Sequence, residues 1–107
     1  MMRNNKKKLI MTKDERILAE INSQNIFDVK EFNNLCVQAN TAKAHEDYRM
    51  LDEILKSIRS FFKRRFEYFK EKAKGCGKIV LSRIEYLRKE DEARQKEIRH
   101  CFDDVSV

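Results

Sequence analysis

The stretch YRMLDEILKSIRSFFKRRFEYFKEKA, residues 48–73, decides the fold. Tyr48, Leu51, Ile54, Leu55, Ile58, Phe61, Phe62, Phe66, Phe69 and Ala73 recur in it at steps of three and four. That is the period of a helix, and it draws one apolar stripe along a helix predicted over 43–74. Lys70, Lys72 and Lys74 fall in its last turns, where cations meet the negative end of the helix dipole. Gly75 follows as a natural C′ residue, because it accepts the left-handed conformation without a Cβ clash.

Downstream, Gly75–Cys76–Gly77 is the one flexible punctuation of the chain. Ile79, Val80 and Leu81 form a short apolar run with no second strand candidate to pair it, so it reads as a packed connection. Ser82 and Glu85 then have the spacing of a capping box, with Leu81 and Tyr86 placed as a hydrophobic staple. The helix they open carries Ile84, Leu87, Ile98, Cys101, Phe102 and Val105. Its middle, RKEDEARQKE (88–97), has Ala93 as its one apolar residue. It favours helix by propensity but has little to bury, and is expected to project into solvent or lie against a partner.

Upstream, Thr12 and Glu15 form a first capping box. The helix after it shows Ile17, Leu18 and Ile21 on one face and is expected to end near 23–25. A second box, Asp28 with Glu31, opens a helix with Phe32, Leu35, Cys36 and Ala39 on its apolar face. That helix is expected to break at Asn40–Thr41, whose side chains compete for backbone hydrogen bonds. Residues 1–11 read as a disordered basic leader, with Met11 an alternative start, and 12–107 as a single helical domain. The expected class is all-α, a small bundle of four to five helices in which two long helices form a hairpin around Gly75–Gly77.

Composition agrees. The chain has 107 residues, no Pro, no Trp and two Gly, too little turn chemistry for a β-sandwich or barrel. No 18-residue apolar run is present, and the basic leader is followed by no apolar core of a signal peptide. An intracellular protein is expected, nuclear if eukaryotic and otherwise cytoplasmic, with no membrane partner. Cys36, Cys76 and Cys101 make an odd count without metal spacing, so reduced thiols and no metal are expected. Cys36 and Cys101 fall on apolar helical faces, and Cys76 is expected to be exposed.

Phosphate-cradling motifs are absent, and His45 and His100 are far apart in sequence. No catalytic residue, cofactor or enzyme activity is expected. The sharper feature is charge. The net charge is +6, and it is uneven: residues 56–78 hold nine basic and two acidic groups, whereas residues 14–55 hold nine acidic and four basic ones. Lys56, Arg59, Lys63, Arg64, Arg65, Lys70, Lys72 and Lys74 are candidates for contact with nucleic acid or an acidic partner. Such contact would be sequence-nonspecific, since no helix-turn-helix or zinc finger is evident. A solvated face that keeps the protein soluble is the plain alternative. Among the rings, Phe62, Phe66 and Phe69 are expected in the core, and Phe61 and Tyr68 exposed. Phe61, Phe62, Phe66, Phe69, Leu87, Ile98 and Phe102 are candidates for a subunit interface.

The run 48–73, followed after a short break by LSRIEYLRKEDEARQKEIRHCF (81–102), resembles the helical domain of GINS subunits. GINS is the four-subunit assembly of the eukaryotic and archaeal replicative helicase. The residues that carry the likeness are Ile58, Arg59, Phe61, Phe62, Arg64 and Arg65 on the long helix, then Leu81 and Ser82. It covers 55 of the 107 residues. Many GINS subunits also carry a small β-rich domain, for which this chain shows no strand series. The resemblance implies no catalysis and a scaffold whose helices pack on sister subunits and the helicase ring. The expected function is therefore a non-enzymatic helical subunit of a nucleoprotein assembly, in a hetero-oligomer. A free-standing basic nucleic-acid-binding regulator, or a small adaptor or inhibitor that binds an acidic protein, are the alternatives.

Overall fold

The computed structural model of the chain describes residues 11–102. Three helices run up, down and up: α1 (Lys13–Ala44), α2 (Tyr48–Lys72) and α3 (Lys78–Phe102). The all-α class holds, and no strand occurs among the described residues. The expected leader lies outside those residues except for Met11, as does Val105.

Three helices stand where four or five were expected, because α1 is continuous for 32 residues. It opens at the capping box as read. The Glu15 amide donates to Thr12 Oγ1 (3.1 Å), and the Thr12 amide donates to Glu15 Oε1 (2.9 Å). It does not end at 23–25, because the polar side chains there find partners other than the local backbone. Gln24 Nε2 donates to Asp28 Oδ1, and Asn25 Oδ1 accepts from Arg65 on α2. Asp28 is therefore no cap: it is buried in mid-helix. Nor does the helix break at Asn40–Thr41, since Ala39 and Ala42 are buried on either side and hold that turn in the core.

The break comes at 45–47 instead. The Glu46 amide donates to Lys43 O and the Asp47 amide to Ala42 O, which is the Schellman pattern. Glu46 takes the left-handed position with φ 56°. Asp47 then caps α2, its Oδ1 accepting from the Met50 amide at 3.1 Å. So α2 starts at Tyr48, not at 43.

The second reversal is the one placed at the glycines. Gly75 has φ 67°, the conformation that favours glycine at a helix end. The Gly77 amide donates to Asp14 Oδ2 at 2.9 Å, which ties this turn to the start of α1. α3 begins at Lys78, with the Leu81 amide donating to Gly77 O. The expected box at Ser82 thus lies one turn inside the helix. Val80 is fully buried, which recruits the 79–81 run into α3, while Leu81 and Tyr86 are exposed and form no staple.

The core is two apolar clusters. One holds Phe32, Ala39, Leu51, Ile54, Ile58, Phe61, Phe62 and Phe102 among its members, with Phe32, Phe61 and Phe62 in mutual ring contact at 5.2–5.9 Å. The other holds Ile21, Phe69, Val80, Ile84 and Leu87. Between them lies a charged layer. Arg65 donates from Nε and Nη2 to the two carboxylate oxygens of Asp91, and from Nη1 to Asp28 Oδ2. The middle of the last helix is therefore not idle: it supplies Asp91 to this layer, and Arg94 over the Phe32 ring.

Candidate interaction surface

Helix α1 packs most extensively on α2 and less on α3, and α2 and α3 touch one another least. That asymmetry leaves a cleft of about 540 Å³ between α2 and α3. Leu55, Ile58, Phe62, Ile98 and Phe102 form its floor. Phe66 stands at its mouth, 47% exposed, with the Arg88 guanidinium 5.2 Å from its ring centre. The walls carry Arg59 and Lys63 from α2, and Gln95 and Arg99 from α3. No carboxylate among the described residues lines it.

Why the sequence builds this is plain from register. Ile58, Phe62 and Phe66 step by four along α2, and a row of that spacing drifts around the helix. Ile58 and Phe62 remain under the bundle, whereas Phe66 has rotated into the open side. Phe61, Arg65 and Phe69 follow the parallel row that faces inward. The expected exposures of Phe61 and Phe66 are thus exchanged: Phe61 is 2% exposed. Tyr68 is half-buried against Phe69, and burial pushes its phenol pKa up.

The candidate cations divide into three groups. Arg65 is 3% exposed and holds the charged layer, so it is withdrawn from any outside contact, contrary to expectation. Burial draws its pKa down, but the hydrogen bonds and charges of Asp91 and Asp28 outweigh this and the net shift is upward. Arg64, Lys72, Lys56 and Lys74 pair with Glu31, Glu20, Asp52 and Glu71. The Glu20 hydrogen bond also raises the Lys72 pKa. Arg59, Lys63 and Lys70 are exposed and make no ion pair among the described residues, and Arg99 on α3 is like them.

Of the candidate interface residues, Phe61, Phe62, Phe69, Leu87 and Phe102 are buried inside this chain's own bundle. Phe66 is exposed and Ile98 half-buried, both at the cleft. What sequence reading missed was Arg99 and Gln95. The signal was available: they flank Ile98 on the last helix by one and three residues.

His45 and His100 are both exposed, His45 at the C-cap of α1 and His100 in the last turn of α3. Cys101 is exposed rather than packed, Cys36 is half-buried with its thiol pKa pushed up by burial, and Cys76 is half-buried and donates to Lys72 O. Among the described residues no cluster of His, Cys, Asp and Glu is arranged to hold a metal ion. No helix among them is long and apolar enough to cross a membrane. Compared with known proteins, the chain matches no family model, no curated protein and no solved structure.

Proposed function

We propose that this chain is a non-enzymatic helical interaction subunit of a nucleoprotein assembly, a scaffold of GINS-like kind. The observation that carries the reading is the open cleft between α2 and α3, an apolar floor left beside a bundle that is otherwise closed by α1. A three-helix bundle open on one side gains most from a further helix, since apolar area removed from water stabilises by about 25 cal/mol per Å². Residues such as Phe66 at its mouth are the kind that anchor protein interfaces.

The test is purification of the native complex, with nuclease treatment as a control. Partner proteins are expected to remain after nuclease, and the isolated chain to melt at a lower temperature than the complex, by mass action. A chain that purifies alone, with a melting temperature independent of concentration and of partner, overturns the reading.

One observation favours a second reading, a free-standing nucleic-acid-binding regulator: Arg59, Lys63 and Lys70 on α2 are exposed and make no ion pair among the described residues. It requires binding that weakens steeply with salt and is lost in Lys63→Glu.

A further inference from the structure

The cleft takes its character from two properties that are independent of one another. Its α2 side is a helical row, Leu55, Ile58 and Phe62 in the floor and Phe66 at the mouth, which spans about 17 Å of α2, or three turns. That exceeds the ~10.5 Å over which a docked helix places anchors at i, i+3 or i+4, and i+7. Its two walls, on different helices, are both cationic: Arg59 and Lys63 on one, Arg99 on the other. None of the three has an ion-pair partner among the described residues, although most other cations of α2 do.

We infer that the occupant of this cleft is an acidic amphipathic α-helix of a partner protein. It presents an apolar seam to the floor and a row of carboxylates to each wall, and completes a four-helix bundle. This rests on the reading of the chain as an interaction subunit and names the chemistry of its partner. A second copy of this chain is disfavoured by charge. A two-fold contact through the same face sets Arg59, Lys63 and Arg99 against themselves. Nucleic acid is disfavoured by the floor, which offers phosphates nothing to bind and would bury apolar side chains under a charged backbone. The pattern matches coiled-coil logic, in which flanking charges choose the partner and the apolar seam supplies the affinity.

The experiment uses the full chain and three synthetic peptides of about 20 residues, the length of a helix that covers the cleft with a margin at each end. The first has a Leu seam with Glu on both flanks, the second the same seam with Lys flanks, the third Glu flanks with an Ala seam. Binding is read by fluorescence anisotropy, and helix formation by circular dichroism. The first peptide is expected to bind at least tenfold more tightly than either control and to gain helicity. The double variant Lys63→Glu/Arg99→Glu, both exposed positions, is expected to keep the helical spectrum and to reverse the preference in favour of the Lys-flanked peptide. Equal binding of both Leu-seam peptides, failure of the charge reversal, displacement by an equimolar DNA duplex, or self-association through this face each overturns the inference. A native partner that the double variant still holds leaves the interaction-subunit reading standing while the acidic-helix assignment falls.

Discussion

Arg65 and Asp91 join α2 to α3 by a two-pronged contact, Nε to Oδ2 at 2.8 Å and Nη2 to Oδ1 at 2.9 Å, at a depth where Arg65 is 3% exposed. The same guanidinium reaches α1 through Asp28 Oδ2 and Asn25 Oδ1, so one side chain ties all three helices. Phe61 and Phe69 lie against it, with ring centres 5.7 and 4.9 Å from the guanidinium carbon. Asp28 also accepts from Gln24, and Asp91 meets Arg94 at 3.4 Å, so both of these buried carboxylates are answered. Shifting α1 or α3 by one turn would leave these charges unpaired in a dry site, so the layer fixes the register of the bundle.

The neighbouring arginines make opposite predictions. Arg65→Ala removes the partner of two buried carboxylates and is expected to cost about 3–5 kcal/mol, a large part of the stability of a small domain. Arg64→Ala breaks the pair with Glu31, in which the side chains are 65% and 43% exposed, and a peripheral contact 5.9 Å from the Phe61 ring centre, and is expected to cost about 1 kcal/mol. Arg65→Lys rescues little, because a point ammonium cannot make the paired contact with Asp91 and reach Asn25 as well. Urea unfolding followed by circular dichroism separates these cases. Similar midpoints for Arg64→Ala and Arg65→Ala would sink the claim.

Glu46 is a site where the protein improves on substitution. It sits at φ 56° in the α1–α2 turn, exposed to water. A left-handed non-glycine residue costs about 1–2 kcal/mol, and Gly returns roughly 0.5–1 kcal/mol of that as extra freedom of the unfolded chain. Glu46→Gly is therefore expected to stabilise by about 0.5–1 kcal/mol, a rise of a few degrees in Tm. Glu46→Ala, which keeps the Cβ, should show no such gain. A fall in Tm for Glu46→Gly contradicts the argument.

These two sites also explain what the sequence made legible. The α2 stripe, the Thr12 box and the Gly75 turn were readable because each depends on local spacing alone. The continuity of α1 was not, because Asn25 and Asp28 are helix breakers or caps until Arg65, forty and thirty-seven positions away, turns them into partners. The 45–47 turn was missed because its left-handed residue is Glu, not Gly. At the cleft, the four-residue step from Phe62 alone puts Phe66 in the core, but the drift of that row carries it outward while Phe61 goes in. Arg65 looked like one more cation in a basic run. Only the carboxylates on the other two helices distinguish it from Arg64.

Gly77 and Asp14 are coupled at the glycine turn. A Cβ on Gly77 would collide with the Asp14 carboxylate that now accepts the Gly77 amide. Since the Asp14 carboxylate is the end of a flexible side chain, it can swing away, and what is lost is the hydrogen bond, about 1.5–3 kcal/mol for one to a charged group. Gly77→Ala is expected to cost that much in the native background and markedly less beside Asp14→Ala. Thermal melts of the four proteins close the cycle, and strictly additive effects would show that the contact does not hold the turn.

Glu15 supplies the pH test. The backbone and then the side chain of Thr12 hydrogen-bond its carboxylate and hold its pKa below the usual carboxylate range, at a fully exposed position. A folded pKa that is depressed means a contribution present above the unfolded value and lost as pH falls through the folded one. The first turn of α1 should therefore fray in acid before the bundle unfolds. A carbon-detected NMR titration of Glu15 is expected to give a midpoint below that of an exposed, uncapped glutamate. In Thr12→Ala the side-chain bond is gone and the amide is no longer held in the box, so the midpoint should move back up toward the ordinary value, and amide exchange in the first turn should quicken at neutral pH. An unchanged midpoint in Thr12→Ala would place the cause of the depression elsewhere and remove the box from the account of how α1 begins.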